Sequence, residues 1–398
     1  MIFTKRDRRT VWGHNFDWTP EHRGSDNMRP LIFTYDVLGT DCLDRIDDLG
    51  LSTSDSSTQP SDGREQGSNG TQERSHRDLY ALLEDNHESD AELRELWRQV
   101  NTIPEWVDWE QIERGQKVFY RYGGPIIVGL TFQSLLGGMG GRRVVETLSR
   151  TGGFGVKVAR RRLMETFQHL LQVTSDINSI KPGGAGFASS IRVRFLHAAV
   201  RRRILTLAKD HPNYYSVEEY GIPVNDLDSI GTISTFSSTL IWISLPRQGI
   251  WLRQQEIEDY LALWRWVAYL LGTPDEPFAT PQKAKAMMES LLLAELQPTE
   301  TGRILANNII TGLCSQPPAW ASREFLCAEA HWLNGRALAD ELAVQRPRLY
   351  HTALVVGQCI FFMFMCYIYR SVPSWDDKKN EVCYVHDIQR LSPIPTCK

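Results

Sequence analysis

Two stretches decide how this chain folds: Arg162-Leu-Met-Glu-Thr-Phe-Gln-His169 and Arg192-Val-Arg-Phe-Leu-His-Ala-Ala-Val-Arg201. Each places a histidine and arginines beside apolar residues that recur at helical spacing. At about 100° per residue, Arg162, Thr166 and His169 project from one side of the first predicted helix. Both stretches are therefore predicted to be helices with a mixed apolar and basic face.

The second stretch places His197 in line with Val193, Val200, Arg201 and Ile204. A pocket of this kind suits a haem, because it offers apolar walls to the ring, a nitrogen to the iron and cations to the propionates. An imidazole on an apolar face must bind a hydrogen-bond partner or a metal, so a hydrogen-bonded core histidine is the alternative interpretation. Periodicity does not rank His197 against His169 as an iron ligand.

Other polar residues of these helices are candidates for the same site. Arginines 162, 194 and 201 are candidate propionate ligands, although helical arginines commonly form a solvated face. Thr166 is a candidate hydrogen-bond donor to bound oxygen, or it bonds its own backbone one turn back. Glu165 is a candidate general base if it is buried, whereas an exposed helical glutamate would have no such role.

Composition narrows the class of protein. The chain has 398 residues, of which 42% are hydrophobic and 10% aromatic, and this is the composition of a globular protein. A formal net charge of -4 gives no general attraction to nucleic acid, so no nucleic-acid partner is predicted. The 7 cysteines form no Cys-x-x-Cys pair, which argues against a zinc ribbon or a disulfide framework.

The two ends of the chain differ. The basic N-terminus lacks the apolar run of a cleaved signal peptide, so export is not expected. Residues 349–369 carry no formal charge, approach the ~20 residues needed to span a bilayer, and have tyrosines at both edges. A membrane helix over 349–370 is predicted, followed by a tail over 371–398. A fully buried core helix is the alternative, which His351 and Gln358 favour.

The remaining sequence predicts one principal helical domain. Residues 1–50 form its N-terminal part, and residues 77–345 form its core. Residues 51–76 are rich in Ser, Thr, Gln, Gly and Asp and are predicted to be a disordered insertion. No persuasive strand series competes with the helical patterns, so the fold class is all-α. Helical patterns cover residues 78–100, 190–209, 225–244, 254–271, 282–295, 299–313 and 321–344.

Glycine pairs interrupt the predicted helices between Trp106 and Thr174, for example at Gly137-Gly138. Glycine lets a backbone come close to a neighbour because it has no side chain. The pairs indicate close approach, either between two helices or against a flat ligand.

Several short blocks, taken in order, resemble a known family. They are Trp12-Gly-x-x-Phe16-x-Trp18-Thr19-x-x-His22, Pro104-Glu-Trp106, Arg162-x-x-x-Thr166, Arg194-x-x-His197-Ala-x-Val-Arg201, Gly221-Ile-Pro223-Val-Asn225 and Leu271-Gly272. The family comprises the bacterial latex-clearing rubber oxygenases and the fungal endoplasmic-reticulum oxygenases of the MpaB type, which share one catalytic domain. The similarity runs from Trp12 to about Pro347.

The resemblance implies a globin-like helical core around haem b, with His197 as the proximal iron ligand. It also implies that Arg162 and Thr166 lie near the distal face. The latex-clearing relatives place a lysine immediately before that threonine, whereas this chain has Glu165. The distal position is therefore left to water, to oxygen or to His169.

The resemblance also implies a reaction, in which dioxygen adds across a carbon–carbon double bond and cleaves it to carbonyl products. We expect a haem-dependent oxygenase that acts with dioxygen on an apolar isoprenoid or polyketide, in a fungal secondary-metabolite pathway. Glu165, if buried, would take an allylic proton from the substrate. A single-pass C-terminal anchor in the endoplasmic-reticulum membrane is expected. The alternatives are a non-catalytic, membrane-anchored helical binding or scaffold protein, and a haem enzyme that performs hydroxylation, desaturation or cyclisation.

Overall fold

A computed structural model of the protein describes residues 7–50, 78–151, 154–317 and 319–372. Over these ranges the chain is helical apart from one two-stranded hairpin, which confirms the all-α fold class. The predicted insertion over 51–76 lies outside the described residues, as does the predicted tail from residue 373 onward.

The elements follow one another closely along the described chain. The hairpin strands are β1 (Arg8–Val11) and β2 (His14–Asp17). The helices up to the candidate site are α1 (Ser25–Met28), α2 (Val37–Asp48), α3 (Leu79–Asn86), α4 (Ala91–Asn101), α5 (Trp109–Arg121), α6 (Gly123–Gly129), α7 (Arg142–Arg150), α8 (Val156–Thr174), α9 (Ile177–Ile180) and α10 (Ala185–Asp210). The later helices are α11 (Val217–Tyr220), α12 (Asp226–Phe236), α13 (Leu245–Arg247), α14 (Gln254–Leu270), α15 (Pro281–Glu295), α16 (Glu300–Leu313), α17 (Arg323–Glu341) and α18 (Leu349–Ser371). Two π-helical segments, π1 (Leu130–Leu136) and π2 (Leu240–Ser244), and two 3-10 turns, Arg29–Ile32 and Glu276–Phe278, complete the set.

Three of the predicted helices are broken in the structure. The run over 78–100 is α3 and α4, because the side chain of Asp90 accepts hydrogen bonds from the backbone N–H groups of Glu92 and Leu93 and so starts a new helix. The run over 225–244 ends as an α-helix at Phe236, and Ser237 leaves helical geometry before π2 begins. The run over 321–344, observed as α17, is interrupted at Gly335, whose φ of 77° is not helical. The single-helix predictions were wrong at all three places, since periodicity continues across a cap, a π-helical turn or a glycine kink.

Helix α10 lies at the centre of the larger of two main apolar cores. It packs against α8, α2 and α14, and it contributes Phe187 and Phe195, both fully buried. Helix α8 lies between the two cores, because Phe167 packs on the larger core and Leu163 on the smaller one. A Cβ atom on Gly186 would lie 2.5 Å from the carbonyl oxygen of Gln172, so glycine permits the close approach of α8 and α10.

Helix α18 has two different faces. Its inner face packs mainly on α17 and buries Val355, Cys359 and Cys366. Its outer face is apolar and exposed, with Phe361 58% and Phe364 64% accessible. The alternative of a fully buried core helix is therefore wrong. Among the described residues, α18 is the one helix long and apolar enough to cross a membrane, with a mean hydropathy of 1.8.

Candidate functional site

The structure brings His169 of α8 and His197 of α10 together. The Nδ1 atom of His169 lies 2.9 Å from the hydroxyl oxygen of Ser189, which is on α10. For the ring nitrogens of His197, the described part of the chain provides no hydrogen-bond partner. The two histidines are thus not equivalent, since one ring is tied to the protein and the other is free to bind a ligand.

Both imidazoles are neutral at neutral pH. Burial lowers the pKa of His169 to about 4, and the neighbouring His197 adds to this effect. Burial also lowers the pKa of His197 to about 4, helped by the charge of Arg201 and opposed by that of Asp36. A neutral imidazole keeps a nitrogen lone pair, which is the form that binds a metal.

Apolar side chains that are not fully buried lie on the same two helices as the histidines. Leu163 and Phe167 of α8 and Val193 of α10 are half-buried, while Leu196 is 45% exposed. They contrast with Phe187 and Phe195 of α10, which are fully buried. Apolar surface that is left partly accessible beside neutral histidines is suited to a large apolar ligand.

Arg194 is held in a buried ion pair. Its Nε atom lies 2.7 Å from Oδ2 of Asp36 and its Nη2 atom 2.6 Å from Oδ1, with 2% of the arginine accessible. Its third nitrogen, Nη1, is buried and has no partner among the described residues. Cβ atoms on Gly39 and Gly272 would lie 3.2 Å and 2.8 Å from the Nε atom, so two glycines make room for the pair.

Arg201 is also engaged by the protein. Its guanidinium donates to the Thr40 hydroxyl at 2.7 Å and to the Val224 carbonyl at 2.8 Å. The same group lies 4.6 Å above the ring of Tyr35. Arg194 and Arg201 therefore hold the start of α2 against α10, and their predicted binding of propionates stays a prediction.

The three α8 residues of the predicted distal side occupy different environments. Arg162 is half-buried, and its Nε atom is buried without a partner among the described residues. Thr166 is exposed. The side chain of Glu165 is 55% accessible and lies 3.4 Å from the Nε atom of Arg161. The burial on which the general-base role of Glu165 depended is thus not found.

Two residues of this site were missed from the sequence. Asp36 pairs with an arginine 158 positions away, and Ser189 bonds a histidine 20 positions away. The only local signal for Asp36 is its place before α2, where its side chain accepts from the N–H of Gly39 and caps the helix. Local sequence patterns do not reveal contacts between residues that are this far apart along the chain.

The fold is that of a known class of helical proteins. The structure of latex clearing protein LCP in the closed state covers 95% of this chain, which in turn covers 95% of that chain, with a TM-score of 0.62 and 18% sequence identity. At this level of sequence identity, the similarity shows that the two proteins share a fold.

The sequence comparisons then give the family. The family model described as "ER-bound oxygenase mpaB/B'/Rubber oxygenase, catalytic domain" matches residues 120–361, a range that contains both α8 and α10. The chain belongs to this family. The rubber oxygenase of Streptomyces sp. (strain K30) is 23% identical over 266 residues, which are 64% of this chain. The chain spans about 61% of the length of that relative.

Proposed function

We propose that the protein is a haem b-dependent oxygenase that acts with dioxygen on an apolar, unsaturated isoprenoid or polyketide and cleaves a carbon–carbon double bond. The observation that carries the proposal is His197, a neutral imidazole on an apolar helix face without a hydrogen-bond partner in the described chain. The pathway we favour is a fungal secondary-metabolite pathway.

The residues beside His197 fit a haem. His197 would supply the nitrogen that binds the iron, and half-buried apolar residues of both helices, Leu163, Phe167 and Val193, would give the site its apolar character. The unpartnered Nε of Arg162 and Nη1 of Arg194 are donors of the kind that propionates bind. Bound haem would supply the oxygen chemistry.

The chain's own residues would bind the substrate and control its surroundings. The apolar side chains would keep water from the reacting carbons. The hydrogen bond between Nδ1 of His169 and the Ser189 hydroxyl holds the ring, so Nε2 is the nitrogen of His169 that is left to face a ligand. Thr166 offers a hydroxyl donor. Glu165 has no role in this proposal, because an exposed carboxylate beside Arg161 is already solvated.

Two measurements on the purified protein test the proposal. Protein from a haem-supplied host is expected to show a Soret absorption band. With squalene as the probe and isotopically labelled dioxygen, cleavage is expected to place both labelled oxygen atoms in carbonyl products. A single labelled oxygen in an uncleaved product would indicate hydroxylation instead. Absence of both the band and oxygen consumption would favour the binding or scaffold protein.

We further propose that the protein works at the endoplasmic-reticulum membrane and contacts it through α18 as a C-terminal anchor. Exposed apolar residues recur along one side of this helix at helical spacing, from Tyr350 through Leu354 and Ile360 to Phe364. Tyrosines lie at both helix ends, and Arg348 precedes the helix, as in helices that meet a bilayer interface.

Removing this outer face is expected to release the protein from membranes. A Phe361→Asp/Phe364→Asp variant is expected to bind phosphatidylcholine vesicles at least ~10-fold more weakly in flotation, because two exposed aromatic side chains no longer enter the lipid. Ile304→Asp is the matched control, since Ile304 is 53% exposed on α16. Equal flotation of the parent and the double variant would contradict this proposal. Extraction of the parent by alkaline carbonate would contradict a spanning anchor.

A further inference from the structure

A pocket lies beside the tip of the β-hairpin and shares no residue with the candidate site on α8 and α10. We call it the hairpin pocket. It is formed by the hairpin turn, by π1 and π2, and by α17. The residues that matter for its chemistry are Trp12, Gln133, Asn334, Val11, Ile243 and Leu338.

Three polar side chains of the hairpin pocket have buried atoms without a partner among the described residues. They are Nε1 of Trp12, Oε1 of Gln133 and Oδ1 of Asn334. Gln133 and Asn334 are 8% and 1% exposed, so solvent does not readily reach them. A buried polar atom without a partner is costly, and three in one pocket indicate a ligand that satisfies them.

The orientation of one amide is fixed by its neighbours. The Nδ2 group of Asn334 donates to the carbonyl oxygens of Phe132 at 2.8 Å and Ala330 at 2.9 Å, so Oδ1 is an acceptor. Neither end of the Gln133 amide has a partner in the described chain, so its oxygen and nitrogen are free to exchange places. The pocket therefore offers one fixed acceptor, one donor from Trp12, and one amide that adapts.

Backbone irregularities gather at the same place. Trp12 has a φ of 50° in the hairpin turn, where Asn or Gly is usual and a bulky side chain is strained. Helix α17 is interrupted at Gly335, with a φ of 77°, directly after Asn334. The segments π1 and π2 add two π-helical turns, which are frequent at functional sites. Retained strain of this kind is expected where the side chains have a binding role.

The lining selects the kind of ligand. Val11, Ile243 and Leu338 give an apolar wall, which favours an aliphatic body. The guanidinium of Arg247 donates hydrogen bonds to backbone carbonyl oxygens, including that of Trp12 at 2.9 Å. Its positive charge disfavours a ligand with an ammonium group. A carboxylate would bring no donor for Asn334. A hydroxyl group donates to Asn334 and accepts from Trp12 and from Gln133 at once.

We propose that the hairpin pocket binds an aliphatic or isoprenoid alcohol by its hydroxyl group. The probe is 1-decanol, which has no double bond to cleave, and binding is measured by calorimetry on the full chain. Decane and decanoate are expected to bind at least ~10-fold more weakly than decanol, since each lacks a donor. Equal binding of decane and decanol would overturn the proposal.

Substitutions in the hairpin pocket test whether decanol binds there. Trp12→Phe keeps an aromatic ring, although a smaller one, and removes the N–H, while Gln133→Leu keeps a similar volume and removes the amide. Each is expected to weaken decanol binding by about 5- to 10-fold, the effect of one hydrogen bond. Trp320→Phe, at a position 68% exposed outside the pocket, is the control and should leave binding unchanged.

Two further readouts separate this proposal from its competitors. His197→Ala protein is expected to bind decanol as the parent does, because the two sites share no residue, so failure of the haem proposal would leave this result intact. A crystal structure grown with decanol is expected to show its hydroxyl between Trp12 and Asn334. A water alone at that position, or unchanged affinity in Trp12→Phe and Gln133→Leu, would overturn the proposal.

Discussion

His197→Ala is expected to purify without a Soret band, whereas His169→Ala is expected to keep most of the band. The physical reason lies in the different partners of the two rings: Nδ1 of His169 is bonded to Ser189, while the described chain offers the His197 ring no hydrogen bond. On the proposal that His197 is the iron ligand, its loss would remove the bond that holds the iron. The measurement is the ratio of Soret absorbance to protein absorbance.

A rescue experiment separates loss of the ligand from loss of the fold. His197→Gly leaves a cavity of imidazole size, so added imidazole is expected to restore the band in that variant and not in a His169→Gly control. If the band disappears in His169→Ala and survives in His197→Ala, the assignment of the axial ligand is wrong. If both single variants keep it, the haem binds elsewhere.

Asp36→Ala is expected to destabilise the protein by about 3–5 kcal/mol, which is a large part of the stability of a typical domain. It leaves the 2% exposed guanidinium of Arg194 without its charge partner and also removes the N-cap of α2. Asp36→Asn removes the charge but keeps a side-chain oxygen that accepts from the Gly39 N–H or from Arg194, so it is expected to cost less than Asp36→Ala. The measurement is the free energy of unfolding in urea.

The control for this prediction is an exposed ion pair that joins the same two helices. Asp44 of α2 pairs with Arg202 of α10 at 2.8 Å, but their side chains are 50% and 36% accessible. Asp44→Ala is therefore expected to cost less than about 1 kcal/mol. Arg194→Met should cost less than Asp36→Ala, since it leaves a carboxylate at a helix N-terminus and not a buried cation. Similar costs for Asp36→Ala and Asp44→Ala would refute the account of the buried pair.

The sequence predicts the helical fold well wherever one apolar face continues. The predicted helix over 254–271 and the observed α14 agree closely, because its apolar residues all face one core. Prediction fails where a single side chain redirects the backbone, as Asp90 does at the start of α4. It also missed the hairpin, since Trp12 and Gly13 are not a usual turn pair even though both adopt positive φ.

The candidate site was predictable in part for a related reason. Helical spacing places His169 and His197 on apolar faces, and the structure has them as neighbours. The same spacing does not say which side of α8 meets solvent, so it left open whether Glu165 is buried. Nor does it reveal that Arg194 is committed to Asp36, a contact that arises only when α2 folds against α10.

Helix α18 is bonded into the helical domain on its inner face as well as being apolar and exposed on its outer face. Gln358 donates to Glu329 of α17, and Arg370 donates to the carbonyl oxygen of Trp251 at 2.8 Å. A shortened protein that ends at Arg348 would lose these bonds and would uncover Ala328, which α18 buries. Deleting the helix to obtain a water-soluble protein would therefore expose a new apolar surface in place of the old one. Detergent or a lipid nanodisc around the intact chain is the better route to a folded preparation.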